Sequence, residues 1–208
     1  MGHALNGTAE LEIAFAAADI APLPNTALEQ FCAYLELLQR WNQRLNLTAI
    51  REPAEIIQRH FVECVFAAQH LPRDIVSLLD FGSGAGFPGI PIAICRREIQ
   101  VALAEAQGKK ASFLREAFRV IGIPGEVYDG RVEKMPKERR FDAVSMRAVE
   151  KMERAIPVAA ERTKRYLILF TTEQLGTKHR QLTPGLTWLE DIRLPDADQR
   201  VLAIGQRI

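Results

Sequence analysis

The spacing of apolar residues changes near residue 75. Before that point it is helical: Leu28, Phe31, Cys32, Leu35 and Leu38 follow the i, i+3, i+4, i+7 period of one buried face. Asn25 or Thr26 stands ahead of them as a candidate N-cap, since short polar side chains accept from the free N–H groups of a first turn. A second helix is predicted from Pro53, whose fixed φ suits a first turn, to the stop at Pro72. Its buried face comprises Ile56, Ile57, His60, Phe61, Cys64, Val65 and Ala68. The stretch WNQRLNLTAIRE between the two helices is expected to be exposed.

From Ile75 onward, short uniform apolar runs alternate with amphipathic segments. IVSLLDF, IQVALAE, GEVYD, FDAVSM and YLILFT are predicted strands, nearly all apolar because both faces of a parallel sheet are covered. Helices are predicted at 88–96, 109–121 and 149–163, the second ending at Gly122. This alternation makes an α/β doubly wound domain. The tail reads as an antiparallel hairpin around a polar turn at 195–198. The expected organisation is a helical extension, 1–72, packed on a domain of 73–208 to give one compact unit.

Bulk properties narrow the class. The chain of 208 residues, 48% hydrophobic and 25% charged, is long enough to bury a full core. No apolar run reaches the ~18 residues of a membrane span, and the first twenty residues lack the basic start of a secretory signal, so a cytoplasmic protein is expected. Asn6-Gly7-Thr8 and Asn46-Leu47-Thr48 are then chance matches to a glycosylation pattern. Cys32, Cys64 and Cys95 stand far apart in apolar segments, which fits neither a disulfide framework nor metal-ligand spacing, and they read as small buried hydrophobes. The net charge is only +1, but residues 107–165 hold fifteen basic against nine acidic side chains. That excess suits either a polyanion or a solvated face.

LLDFGSGAGFPGIPIAI, residues 78–94, carries the sharpest chemistry. Glycine admits positive φ and close approach to a ligand, so Gly82, Gly84, Gly86 and Gly89 predict a strand-to-helix turn around a bound group. Gly82-x-Gly84-x-Gly86 suits S-adenosylmethionine, whereas Gly84-x-Gly86-x-x-Gly89 suits a dinucleotide. A pyrophosphate needs the N–H groups of the following helix, and Pro88 and Pro91 remove two of them, which favours the methyl donor. A purely structural turn is the third reading. Glu105 closes the second strand, where a carboxylate accepts from both ribose hydroxyls or simply stands exposed at a strand end. Asp80 suits either the ligand or the backbone N–H groups of the turn. Val132 and Glu133 follow the third strand, where an adenine would lie, or form a surface turn; Arg147 ends the fourth at the edge where doubly wound sheets place ligands, or is a plain strand-end cation.

LLQRWNQRLNLTAI, RHF, the glycine loop, GKKASFLRE, GRVE and MRA together resemble the RsmG/GidB family, bacterial methyltransferases of guanosine N7 in 16S ribosomal RNA. The resemblance covers almost the whole chain. It implies a Rossmann-like class I S-adenosylmethionine-dependent methyltransferase fold, with a mostly parallel sheet and a C-terminal antiparallel strand. It implies that Gly82, Phe87, Val132, Glu133 and Arg147 contact S-adenosylmethionine, with Glu105 at the ribose; Gly84 and Gly86 of the loop are expected to join them, and Arg147 is also expected to be the catalytic residue. It further implies that Asn46, Thr48, Arg59 and His60 lie near the RNA. Two places depart from the family pattern: Glu63-Cys64 replaces Asp-Ser after RHF, and Thr171-Thr172 replaces Lys-Gly after the fifth strand.

Guanine N7 carries a lone pair and no proton, so no general base is expected, and His60 is read as an orienting residue or a partly buried helical histidine. Lys109, Lys110, Arg115 and Arg119 are candidates for phosphate contact, or form a solvated face. The expected partner is small-subunit ribosomal RNA, met by a monomer without metal. A small-molecule methyltransferase and a non-catalytic nucleotide-binding module are the competing readings.

Overall fold

In the computed structural model, which describes residues 2–207 except Asp198 (side chains from residue 7), the sheet is built by one crossover pattern. β1 (Ser77–Phe81) is flanked by β2 (Gln100–Glu105) on one side and β4 (Phe141–Arg147) on the other, both parallel to it. β3 (Glu126–Asp129) adds outside β2, and β5 (Thr163–Thr172) outside β4. β8 (Arg200–Gln206) pairs antiparallel with β5, while the short β6 (Thr187–Trp188) and β7 (Ile192–Arg193) pair with β8. The order β3-β2-β1-β4-β5-β8-β6 therefore reverses between β1 and β4. In such sheets the ligand crevice opens at the carboxyl ends of those two strands.

Strand pleating divides the apolar residues between two layers. Leu78, Leu103, Ala143 and Ile168 face a large core shared with α1 (Gly2–Ala17), α2 (Asn25–Asn42), α4 (Val62–His70), α5 (Gly89–Cys95) and α6 (Gly108–Ile121). Leu79, Ala102, Val144 and Leu167 face the other side, under α7 (Met152–Arg162). An aromatic ladder joins the N-terminal helices to the rest: Phe31 to Phe61 at 5.1 Å, Tyr34 to Phe61 at 5.5 Å, and Trp41 to Phe113 at 5.7 Å between centroids.

Several sequence expectations shift. α2 starts one residue early, because the Pro24 carbonyl accepts from Ala27 and Leu28, so Asn25 and Thr26 lie inside the helix rather than capping it. Its buried face is centred on Leu28, Phe31, Tyr34, Leu37 and Leu38, leaving Cys32 and Leu35 at the margin. Only Cys64 is fully buried; Cys32 and Cys95 are half-buried. The 42–52 connection is not wholly exposed: buried Asn42 accepts from the N–H of Leu47 and of Thr48 and donates to the Thr48 carbonyl at 3.0 Å. The helix from Pro53, α3 (Pro53–Ile56), passes into α4 through a π-helical turn at Ile57–Phe61, a feature that often marks functional sites. β3 is half exposed, as an edge strand must be. α7 begins at Met152, after Ala148 and Lys151 take φ of +51 and +53. The C-terminal hairpin forms as expected, its first arm split into β6 and β7; Asp198 of the expected turn and the Asn6 side chain lie outside the described residues.

Candidate active site

The glycine loop leaves β1 at Phe81 and enters α5. Gly82, Gly84 and Gly86 have φ of +71, +57 and +94, a region that side chains with Cβ rarely adopt. At Gly86 a Cβ would stand 2.5 Å from Ile90 Cδ1 and 2.9 Å from the Tyr34 hydroxyl, so glycine is required by packing as well. Gly84 differs. A Cβ there would meet only the Gly82 carbonyl, at 3.9 Å, so its outer face borders open space.

Most N–H groups of the loop are already used. Gly84 donates to Glu105 Oε2 at 2.9 Å, Gly86 and Phe87 to the Ser83 carbonyl, Gly89 to Asp80 Oδ2, Ile90 to the Gly86 carbonyl and Ile92 to the Pro88 carbonyl. Pro91 has none. The first turn of α5 therefore has no N–H left for a pyrophosphate, and the dinucleotide template does not fit. The residues do fit a phosphate-free nucleoside. Glu105, 7% exposed, accepts from Gly84 and from the Gln107 N–H at 2.8 Å, and each oxygen keeps a lone pair for a hydroxyl. Val132 and Glu133 form a short 3-10 turn after β3, with Val132 buried and Glu133 exposed.

Asp80 belongs to the loop's foundation. Fully buried, it holds Gly89 and accepts from the Ser145 hydroxyl at 2.9 Å. Burial raises its pKa to about 6, against the pull of those hydrogen bonds.

At the end of β4, Arg147 reaches across to the π-helical turn. It donates to the Arg59 carbonyl at 2.9 Å, Glu63 Oε2 at 3.0 Å and Cys64 Sγ at 3.3 Å, and it stands 2.8 Å from His60 Nδ1. Its guanidinium also lies 5.6 Å from the centre of the Phe87 ring, which packs 4.5 Å from the His60 ring. His60 Nε2 is 3.0 Å from Thr48 Oγ1. Burial, then the neighbouring Arg147 cation, lowers the His60 pKa to about 3, so the ring is neutral. Glu63, 2% exposed at its side chain, pairs also with Arg200 of β8. Burial raises its pKa despite the two arginines.

The family model described as GidB, rRNA small subunit methyltransferase G, matches residues 27–182, three quarters of the chain. The chain belongs to the GidB family. Ribosomal RNA small subunit methyltransferase G of Methylobacillus flagellatus is 45% identical over 127 residues, 61% of each chain. The protein of the same name from Xylella fastidiosa is 37% identical over 158 residues, 76% of this chain and 72% of that one. The matched stretches span 55–61% of the length of the relatives from M. flagellatus, Nitrosomonas europaea and Stenotrophomonas maltophilia. Among solved structures, M. jannaschii TYW2 in complex with AdoMet superposes with a TM-score of 0.56 at 14% identity, covering 70% of this chain and 77% of that one. The mitomycin 7-O-methyltransferase MmcR gives 0.64 at 14% identity, covering 84% and 60%. These likenesses show a class I methyltransferase fold.

Within this GidB-family site the expected residues fall into two groups. Gly82, Gly84, Gly86 and Glu105 form the loop and its carboxylate, while Thr48, Arg59, His60, Phe87 and Arg147 form one connected cluster beside it. Asn46 is exposed, 3.5 Å from Arg51, and joins neither. Lys109 is exposed and Lys110 half-buried at the start of α6. Arg115 is paired with Asp129, and Arg119 lies 3.9 Å from Glu116, which weakens the case for both as phosphate contacts. Of the family departures, Thr172 caps α8 (Glu173–Gln181) and Thr171 is buried against His179.

Three residues received no place in the site from the sequence. Glu63 had a signal, a carboxylate between Phe61 and Val65 on a buried stripe, which demands a cation. Arg200, 137 positions away, had none. Tyr34, fully buried, donates its hydroxyl to the Ala85 carbonyl and ties α2 to the loop. Among the described residues no group of His, Cys, Asp and Glu is arranged to hold a metal ion, and no helix is long and apolar enough to cross a membrane.

Proposed function

We propose that this chain methylates N7 of a guanosine in small-subunit 16S ribosomal RNA, using S-adenosylmethionine. The observation that carries the reading is the family match over 27–182, which spans both the glycine loop and the facing Asn42–Phe61 segment. When bound, S-adenosylmethionine supplies a methyl group on a positive sulfur, which passes to N7 as the carbon–sulfur bond breaks and its electron pair stays on sulfur. Gly82, Gly84 and Gly86 shape the cradle, Glu105 takes the ribose hydroxyls, and Val132 with Glu133 borders the base.

The polar cluster supports a nucleophile that loses no proton. Arg147 faces Nδ1 of His60 and Thr48 engages Nε2, so the histidine has no lone pair free to act as a base. Alignment and exclusion of water then supply the catalysis, an effect worth up to ~7–11 kcal/mol for well-oriented groups. Arg147 acts at the junction, holding the RHF helix against Phe87. Arg59 and Lys109, both exposed, with Lys110, meet RNA phosphates. The exposed large apolar side chains Ile13, Val76, Leu175 and Leu189 stand on separate segments, which supports a monomer, and its substrate places it in the cytoplasm.

The test offers labelled S-adenosylmethionine with small-subunit particles, naked ribosomal RNA or a metabolite extract. Label at guanosine N7 in either RNA sample is expected. Label confined to small molecules would replace the RNA reading, and cofactor binding without transfer to any sample would mark a binding module.

A further inference from the structure

The hydrogen bonds around His60 fix where protons sit. A guanidinium nitrogen has no lone pair to offer, so at 2.8 Å from Arg147 the His60 Nδ1 must present its own lone pair. In a neutral ring the proton is then on Nε2, which donates to Thr48 Oγ1 at 3.0 Å. Thr48 Oγ1 accepts a second bond, from the Ile50 N–H at 3.2 Å. Both hydroxyl lone pairs are thus occupied, leaving the hydroxyl its hydrogen alone to offer. Among the described residues no acceptor is recorded for it. Asn42 clamps the Thr48 backbone on both sides, so the donor is held in place.

We infer that Thr48 is a specificity-determining residue that donates its hydroxyl hydrogen to the 6-oxo group of the target purine. The inference rests on the proposed methylation of N7. On the edge that carries N7, guanine presents O6, an acceptor, whereas adenine presents an amino donor. A hydroxyl able only to donate satisfies the first and is left facing a second donor by the other. Arg147 and His60 would therefore contribute to base choice by fixing the direction of the Thr48 proton, while Phe87 carries the same cluster to the glycine loop.

The test uses the full chain and labelled S-adenosylmethionine. The guanosine labelled by the wild type is mapped, and ribosomal RNA is then assembled by ligation with guanosine or 2-aminopurine riboside there; the latter lacks the 6-oxo group. Thr48→Val is expected to lower kcat/KM about tenfold on the guanosine RNA, and Thr48→Ser to restore most of it. On 2-aminopurine RNA, Thr48→Val and wild type should match. Equal activity of Thr48→Val and wild type on guanosine RNA, or the same loss on both RNAs, would overturn the inference; the second result marks a structural role. Should Thr48→Val not fold, the wild type still tests the inference, since equal rates on the two RNAs refute a 6-oxo contact. A wild type that labels no RNA would overturn the proposed function and this inference with it.

Discussion

Asp80 offers a quantitative check on how the glycine loop is supported. Its folded pKa, about 6, stands above the 3.8 of an unburied aspartate, with burial as the largest cause. Between those values the folded chain binds the extra proton. The associated stability is therefore complete below about pH 4 and lost as pH rises through about 6. A gap of roughly two units at 1.36 kcal/mol each corresponds to about 3 kcal/mol. Asp80→Asn removes the titration yet keeps the bonding, because the amide oxygen can accept from Gly89 and the amide nitrogen can donate to Ser145 Oγ. Urea unfolding of both proteins at a series of pH values isolates the one group, since all other titrations cancel in the difference. The variant should gain about 3 kcal/mol on the wild type between about pH 4 and pH 7. A flat difference, or a wild type that gains with rising pH, would refute a carboxylate held at a cost beneath the loop.

Other expectations concern the loop, the cofactor, the RNA and the unity of the chain. Gly86→Ala combines a φ of +94 with the Ile90 and Tyr34 contacts and should cost about 3 kcal/mol in thermal unfolding; an unchanged Tm would mean the loop relaxes freely. Glu105→Gln turns an amide toward one of two N–H groups, so calorimetry should show S-adenosylmethionine affinity falling about tenfold or more, and wild-type affinity would remove Glu105 from the ribose position. Replacing Lys109 and Lys110 together by Gln should flatten the dependence of log K on log salt for RNA by about 1.4 if both meet phosphates of a single strand; an unaltered slope assigns them to a solvated face. Trp41→Phe and Trp188→Phe each leave one tryptophan, in the 73–208 and 1–72 segments in turn. Their urea transitions should coincide if the segments unfold as one unit, and separate midpoints would divide them.

What could be read from the sequence depended on how local each signal was. The strands were legible because a doubly covered sheet tolerates little but apolar side chains, and α6 because Phe113, Leu114, Ala117, Phe118 and Ile121 keep one face. The glycine loop was legible because its backbone needs conformations that few other residues adopt. The buried face of α2 was misplaced because Tyr34 carries a hydroxyl, and only the distant Ala85 carbonyl makes its complete burial favourable. Asn42 read as a surface residue because its partners are the backbone of a turn that exists only once the chain has folded. The Glu63 partners lie 84 and 137 positions away, beyond any periodicity.

The same ion cluster bears on the two departures from the family pattern. Losing a lysine at the end of β5 removes one cation, yet Thr172 is the register partner of Arg200, which carries a guanidinium to Glu63 from the adjacent strand. Arg59, Arg147 and Arg200 then stand around a single carboxylate, and the surplus is positive whether or not Glu63 binds a proton. Glu63, one methylene longer than the aspartate it replaces, bridges arginines on two different strands, Arg147 of β4 and Arg200 of β8. If the proposed RNA substrate meets this cluster, its attraction for a phosphate backbone is not tied to residue 171. It follows from how the RHF helix, β4 and β8 converge on one buried acid, so on the proposed RNA reading both departures leave positive charge in place at this cluster.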